Sequence, residues 1–242
     1  IYIPVFKFIY DYSENPFMST MIYLAFGFFG YSLGIFRQMI AISICLMGFK
    51  YVLERKLYYY IIFILLAMTF HTTAIIMLPM YWLNKINLEN KFYQILFVEA
   101  TLFIFARKIV NVFIFLAPKY TGYVGGMYDT HGGSYTMLFI LNILFVLSYR
   151  CYMIDKTKFD EMSIKALVVA MYLQVVSYSM QIFGRIVPYY SIYMILVIPC
   201  LIRTIFKKNV LVSRILLIVL FLFIFYILTQ GNANLNPYEF IV

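Results

Sequence analysis

The stretch LGIFRQMIAISICLMGFK (residues 33–50) decides the fold class, because it is apolar enough for a membrane helix yet carries Arg37 and Gln38 side by side. Similar apolar blocks recur along the 242-residue chain at the length that crosses a bilayer. The chain is 64% hydrophobic and 12% charged, whereas soluble domains are about 45–50% apolar and about 25% charged. We therefore expect an all-α, polytopic transmembrane helix bundle, with residues 1–242 forming a single transmembrane domain.

The apolar blocks predict about eight membrane segments, at residues 18–35, 38–53, 57–83, 92–116, 136–154, 164–183, 189–206 and 210–230. The block 57–83 is interrupted at His71, and a helix break there keeps the later loops on consistent sides of the membrane. A break of the block 92–116 at Arg107 and Lys108 is the alternative. The chain starts without an initiator Met or a signal-peptide pattern, so we expect it to be the C-terminal part of a longer polytopic protein.

The net charge of +9 comes mostly from Lys and Arg placed between the apolar blocks. This placement is typical of membrane topology and does not indicate nucleic-acid binding. The rule that basic loops stay inside places the connections 54–56, 150–165 and 203–208 in the cytoplasm. The Gly-rich external loop 117–135 and the turn 184–188 then face outward. The three cysteines have no paired spacing, so neither a disulfide framework nor a metal site is expected.

Arg37 is costly at the edge of a membrane and therefore indicates function, although a long cationic side chain can also reach the interface as an anchor. Gln38 favours a polar pocket over a lone anchor, because a buried amide needs a hydrogen-bonding partner. Behind this pair, Ala41, Cys45 and Gly48 form a stripe of small residues on one face of the helix. Such a stripe predicts close packing against another helix.

Polar side chains follow the predicted helix 164–183 and its continuation at intervals of four, three and four residues: Gln174, Tyr178, Gln181 and Arg185. A polar stripe cannot face lipid, so it lines a wet cavity or forms a hydrogen-bond ladder between helices. Arg185, followed by Tyr189 and Tyr190, predicts a binding rim at the outer face. Two arginines at that face, Arg37 and Arg185, suit an anion such as phosphate.

Two candidate proton acceptors stand near the predicted outer face. His71 lies at the helix break, although a core histidine hydrogen-bonded by a neighbouring threonine is the alternative interpretation. Asp129 is the only carboxylate in an outward loop between the predicted membrane segments. The same Gly-rich loop carries Tyr123 and His131, which suit either a lid over a sugar-binding cleft or an ordinary flexible loop.

Residues 33–83 resemble the signature region of the EpsG family of bacterial exopolysaccharide proteins, in which an Arg-Gln pair opens a helix and a basic connection and a Phe-His pair follow. The matching positions are Arg37, Gln38, Ala41, Arg55, Lys56, Ala67, Phe70 and His71. The segment GRIVPYYSIYMILVIP (184–199) resembles the second signature of the family, through Arg185, Tyr189, Tyr190 and Pro199. The stretch NPYEF near the chain end resembles its C-terminal element.

The resemblance implies a Wzy-like exopolysaccharide or capsule polymerase, a membrane glycosyltransferase of the GT-C kind, in the bacterial plasma membrane with its active face outward. Its donor and acceptor would be oligosaccharides linked to a polyprenyl diphosphate such as undecaprenyl diphosphate, and other polysaccharide-synthesis proteins are candidate partners. The two arginines would hold the diphosphate, Gln38 and Gln181 would orient oxygens, and His71 or Asp129 would accept a proton. Neither a cofactor nor a metal is expected, because the arginines supply the positive charge.

Two other classes of function stay open. A flippase for lipid-linked sugars would also place cations toward a cavity, but it would usually show inverted repeats and polar residues near the bilayer midplane. No internal repeat is evident in the sequence, and its polar residues cluster toward one face. A non-catalytic membrane scaffold of a polysaccharide synthase complex would need no site at all.

Overall fold

The computed structural model describes residues 1–116, 121–122, 135–156 and 161–205, together with 215, 218–219, 221–223 and 226. Throughout this part of the chain the regular structure is helical, with no strand. The chain divides into two compact units. The first unit consists of Ile1–Asn84 and Met194–Val242, and the second unit is Lys85–Tyr193.

The described α-helices are, in chain order, α1 Tyr2–Tyr12, α2 Pro16–Ala25, α3 Phe28–Gly34, α4 Phe36–Leu53, α5 Leu57–Phe70, α6 Met80–Leu83, α7 Phe92–Leu116, α8 Tyr135–Ile154, α9 Glu161–Ser179, α10 Pro188–Ser191 and α11 Met194–Ile205. Two six-residue 3-10 segments follow the long helices α5 and α9: Thr72–Met77 and Gln181–Ile186.

Three of these helices, α4, α8 and α9, are long and apolar enough to cross a membrane. Two bent pairs would raise the number of spans to five: Pro16–Ala25 with Phe28–Gly34, and Phe183–Ser191 with Met194–Ile205. The helix lengths and compositions fit the predicted membrane helix bundle. They support three to five spans among the described residues, fewer than the eight segments expected.

Helices α4 and α5 of the first unit form a closely packed pair. Ala41, Cys45 and Gly48 are all buried on α4. A Cβ atom added to Gly48 would lie 3.0 Å from the Cβ of Phe63 and 3.3 Å from the ring of Tyr60, both on α5. The predicted packing role of this small-residue stripe is therefore confirmed.

The helical conformation is interrupted after α5, as predicted. His71 is extended, with φ −153° and ψ 113°, between the end of α5 and the first 3-10 segment. The chain then returns along α5, because the hydroxyl of Tyr81 donates to the carbonyl of Arg55 at 2.8 Å and the amide of Asn84 donates to the carbonyl of Val52 at 3.2 Å. Residues 57–84 thus form a hairpin that ends where it began.

The length of this hairpin fits the predicted break. A helix as long as α5 rises about 21 Å, which is less than the roughly 30 Å of a bilayer's hydrocarbon core. By length, α5 is therefore too short to cross a bilayer as one straight helix. Helix α7 runs unbroken from Phe92 to Leu116, so the alternative break at Arg107 and Lys108 is wrong.

In the second unit, α7 and α8 run antiparallel. The side-chain amide of Asn142 donates to the carboxylate of Glu99 at 2.8 Å. Farther along the pair, the ring of Phe92 stacks on that of Phe145, with 5.8 Å between centroids. Helix α9 packs against both α7 and α8, so the three helices form the body of this unit.

Helix α9 ends at Ser179, four residues before the predicted end of the 164–183 segment. Met180 is extended, with φ −158° and ψ 116°, and the second 3-10 segment follows. The side chain of Arg107 donates to the carbonyl of Ser179 at 3.1 Å, so this terminal carbonyl is satisfied without another helical turn. Helix α10 then packs back against α9.

Ion pairs hold the basic connections within each unit. In the first, Lys56 lies 2.9 Å from Glu54 and lowers the pKa of that carboxyl. In the second, Lys165 is 4% exposed and lies 3.0 Å from Glu161. Both connections were predicted from their basic residues, and each contains carboxylates that offset part of the positive charge.

Candidate functional site

His71 lies at the tip of the first broken hairpin. Its ring is partly exposed, and its Nδ1 lies 2.6 Å from the hydroxyl oxygen of Thr73. The neighbouring Thr72 is exposed. This hydrogen bond agrees with the alternative interpretation of His71 as a core histidine bonded to a neighbouring threonine. It also limits the orientation of the ring. The imidazole is therefore held in place beside an accessible surface.

Arg37 lies at the same end of the α4–α5 pair as His71. Gly48 packs against Tyr60, Arg37 precedes Gly48 by eleven residues, and His71 follows Tyr60 by eleven. Antiparallel helices in this register bring the two residues to one level. Arg37 is exposed whereas Gln38 is 2% exposed, so the two side chains do not share one environment as expected.

The second unit has one arginine that contacts the helix end at the break, Arg107, and another five residues beyond Met180, Arg185. Arg107 bonds to the last carbonyl of α9, as described above, and Arg185 is exposed on the 3-10 segment. Tyr178 stacks on Phe103, with 5.7 Å between ring centroids. The outer end predicted for this unit therefore holds two guanidinium groups close to a helix terminus.

The predicted polar stripe does not follow one helix. Gln174 and Tyr178 lie on α9, while Gln181 and Arg185 follow the extended Met180 and belong to the 3-10 segment. The helical spacing of these polar residues in the sequence continues past Ser179, where the helix ends. The four side chains are thus divided between two elements.

Tyr189 and Tyr190 are 0% and 1% exposed, on the short helix α10. We expected them at an accessible rim behind Arg185. Their rings are instead packed in the interior, because α10 folds back onto α9. They support the position of the 3-10 segment and do not present a binding surface.

Three predicted site residues, Asp129, Tyr123 and His131, lie outside the described residues. Within the described ranges, no group of three or more His, Cys, Asp or Glu side chains could hold a metal ion. The expectation that the candidate residues of both units face the same side of the membrane stays a prediction.

Two polar residues of α7 lie outside the predicted site. In the sequence Arg107 marks a possible break of α7, although a guanidinium within an apolar block is by itself a functional signal. Glu99, which accepts the hydrogen bond from Asn142, is a carboxylate seven residues inside the same helix. Its position within an apolar block carried the same signal.

Comparison with known proteins places the chain in a family. The sequence profile of the EpsG family matches residues 1–240. No curated protein sequence matches the chain, and no solved structure does. The match includes both broken hairpins and the arginines beside them. Since it covers almost the whole sequence, the chain belongs to the EpsG family.

Proposed function

We propose that this chain is a polysaccharide polymerase at the outer face of the bacterial plasma membrane. EpsG membership and the apolar helices make it a membrane protein related to exopolysaccharide synthesis. The finer proposal rests on one observation: Arg37 and His71 lie at the same end of the α4–α5 pair, beside the first helix break. A cation and a proton acceptor at one end of the α4–α5 helix pair suit glycosyl transfer from a diphosphate.

The reaction is the transfer of a glycan from a polyprenyl diphosphate to a hydroxyl of a second lipid-linked oligosaccharide. The bond between the anomeric carbon and the phosphate oxygen breaks, and its electron pair leaves on the diphosphate. The acceptor oxygen bonds to the anomeric carbon, and its proton passes to His71. Arginine forks bind the phosphate oxygens that gain charge in this step.

His71 can serve as the base in the tautomer whose Nδ1–H donates to Thr73, because Nε2 then carries the lone pair. Arg37 and Arg185 are the residues proposed to bind the diphosphate groups of the lipid-linked substrates. Gln38 is buried, so its proposed role is to position the start of α4. Such a site needs the low dielectric of a groove at the membrane, where fixed cations stabilise charge better than water does.

The test is chain extension by the purified protein in lipid nanodiscs, with a polyprenyl-diphosphate-linked repeat unit as the only substrate. Wild-type protein should lengthen the glycan, and Arg37→Ala and Arg185→Ala should each abolish most of the extension. Arg203→Ala removes an exposed arginine that pairs with Glu14, far along the sequence from both breaks, and serves as the control. Full extension by both arginine variants would contradict the assignment.

A flippase is the second candidate, favoured by the broken helices in both units. Transporters of several folds use broken helices next to their substrate sites. Movement of a fluorescent lipid-linked sugar across the vesicle membrane, without any lengthening of the glycan, would support this function. A chain that performs neither process and yet is needed for polymer formation in cells would be a scaffold.

A further inference from the structure

The two helix breaks have the same backbone conformation. His71 and Met180 are both extended, with φ and ψ of −153° and 113° in the first and −158° and 116° in the second. Each directly follows the last residue of a long helix and precedes a six-residue 3-10 segment. In each hairpin a proline stands eight residues after the break, at Pro79 and Pro188.

The first hydrogen bond of each segment has equivalent partners. The Ala74 N–H donates to the His71 carbonyl at 3.0 Å, and the Phe183 N–H donates to the Met180 carbonyl at 3.1 Å. Four residues beyond Ala74, Leu78 has φ −56° and ψ −43°, while Val187 in the second segment has φ −56° and ψ −42°. The two segments thus begin with the same extended residue and hydrogen bond, and both end in helical backbone.

The two break segments have a constant spacing in the sequence. Each position from His71 to Pro79 has its equivalent 109 residues farther along the chain, at Met180 to Pro188. The helices before them do not keep this spacing, because α4 begins at Phe36 and α8 at Tyr135. The repeated element is therefore the break segment itself.

The two break segments differ in their polar residues. The first has His71 where the second has Met180, and the second has Arg185 where the first has Ile76. In the first unit the exposed arginine at this level is Arg37, on the helix before α5. Each unit therefore has its own exposed arginine close to its own helix break.

We propose that each unit binds one lipid-linked diphosphate, so that a single chain holds two at once. This inference rests on the proposed function and deepens it. In such a polymerisation the donor and the acceptor both carry the same lipid diphosphate. A repeated break segment with an exposed arginine near it in each unit supplies two sites of the same chemistry, while a histidine at only one of the breaks fits a reaction that needs only one base.

The experiment is native mass spectrometry of the full chain in nanodiscs with undecaprenyl diphosphate as the probe. Two bound molecules per chain are expected for the wild type. Arg37→Ala and Arg185→Ala should each leave one, and the double variant should leave none. The conservative Arg37→Lys and Arg185→Lys variants should keep two molecules with weaker binding, because lysine keeps the charge but loses the fork.

Phosphatidylglycerol in place of the probe separates carrier recognition from general attraction to anionic lipid. It should not compete for either site, and full competition would overturn the proposal. A single bound molecule that both arginine variants abolish would also overturn it, because the two arginines would then share one site. Arg203→Ala should bind two molecules, and thermal unfolding checks that every variant is folded.

The outcomes for the two proposals are distinguishable. Two bound molecules without glycan extension would reject the polymerase function and leave the two binding sites in place. Extension with a single bound molecule would support the polymerase and reject one site per unit. Absence of binding in the wild type would overturn the proposal of two sites whatever the extension assay shows.

Discussion

The Nδ1 atom of His71 lies 2.6 Å from the hydroxyl oxygen of Thr73, so the imidazole is tied to the backbone segment that follows the helix break. This bond joins the extended residue at the end of α5 to the second residue of the 3-10 segment. It limits rotation of the ring, and the hydroxyl of Thr73 can bond to Nδ1 in either tautomer because it can donate or accept. The pair therefore links the geometry of the break to the proposed proton transfer.

The first prediction concerns this pair. His71→Ala should lower glycan extension about 10²–10⁴-fold, the usual worth of a general base. Thr73→Val should cause a smaller loss, and Thr73→Ser should restore activity because it keeps the hydroxyl. Extension rates are measured at several pH values, and the acidic limb of the profile should disappear in His71→Ala. An unchanged acidic limb would show that another group is the base.

The break at His71 was predictable, whereas the equivalent break at Met180 was not. A histidine and two threonines interrupt an apolar block in the first hairpin, but Met180 is apolar and the helical spacing of polar residues continues past it. Between residues 71–84 and 180–193 only Pro79 with Pro188 and Tyr81 with Tyr190 are identical pairs. The two breaks thus share a backbone conformation with almost no identical side chains, so the sequence alone could not show their similarity.

The packing face of α4 was predictable for a different reason. Small residues at helical spacing have few roles in a membrane helix other than close approach. The burial of Tyr189 and Tyr190 was not predictable, because it depends on α10 folding back onto α9. Local patterns therefore identified contacts within a helix pair, and failed where the chain reverses direction.

The second prediction tests that packing face. Gly48→Ala places a Cβ 3.0 Å from the Cβ of Phe63. Overpacking of this kind typically costs about 1–3 kcal/mol, and the better helix propensity of alanine returns at most about 1 kcal/mol. The midpoint of thermal unfolding should therefore fall. Gly34→Ala is the matched control, because nothing lies within 4 Å of its new Cβ. Equal unfolding midpoints for both variants would contradict the close α4–α5 contact.

The third prediction concerns the buried ammonium group of Lys165. Its side chain is 4% exposed and pairs with Glu161 at 3.0 Å. Glu161→Gln leaves this charge without its carboxylate, and we expect a loss of about 3 kcal/mol, the lower end for buried pairs because Glu161 is partly exposed. The double variant Glu161→Gln, Lys165→Met should recover most of the loss. Denaturant unfolding in detergent measures both, and a double variant no more stable than the single one would exclude a desolvated charge as the cause.

The fourth prediction concerns pH. Lys156 donates a hydrogen bond to Glu89 and holds the pKa of that carboxyl below its ordinary value of 4.5. A depressed pKa stabilises the fold when the pH is above the unfolded value, and the contribution is lost as the pH falls through the folded value. The unfolding midpoint of the wild type should thus drop more steeply below pH 4.5 than that of Glu89→Gln. Parallel curves for the two proteins would show that the pair adds no stability.

The fifth prediction concerns Arg107, whose guanidinium donates to the carbonyl of Ser179 at the end of α9. A cation at a helix C-terminus is worth about 0.3–1 kcal/mol, and up to about 2 kcal/mol when partly buried. Arg107→Met should therefore destabilise the second break. Lys108→Met is the control on the same helix, because Lys108 is exposed and lies over the ring of Phe105.

Hydrogen exchange distinguishes local loosening of this break from general destabilisation. In Arg107→Met the amides of residues 180–186 should exchange faster, while those of the first hairpin, residues 71–77, should be unchanged. If Arg185 depends on this break for its position, the same variant should also weaken the binding of undecaprenyl diphosphate attributed to the second unit. Faster exchange without weaker binding would show that Arg107 acts on the helix terminus alone, and uniform exchange in both hairpins would exclude a specific role at Ser179.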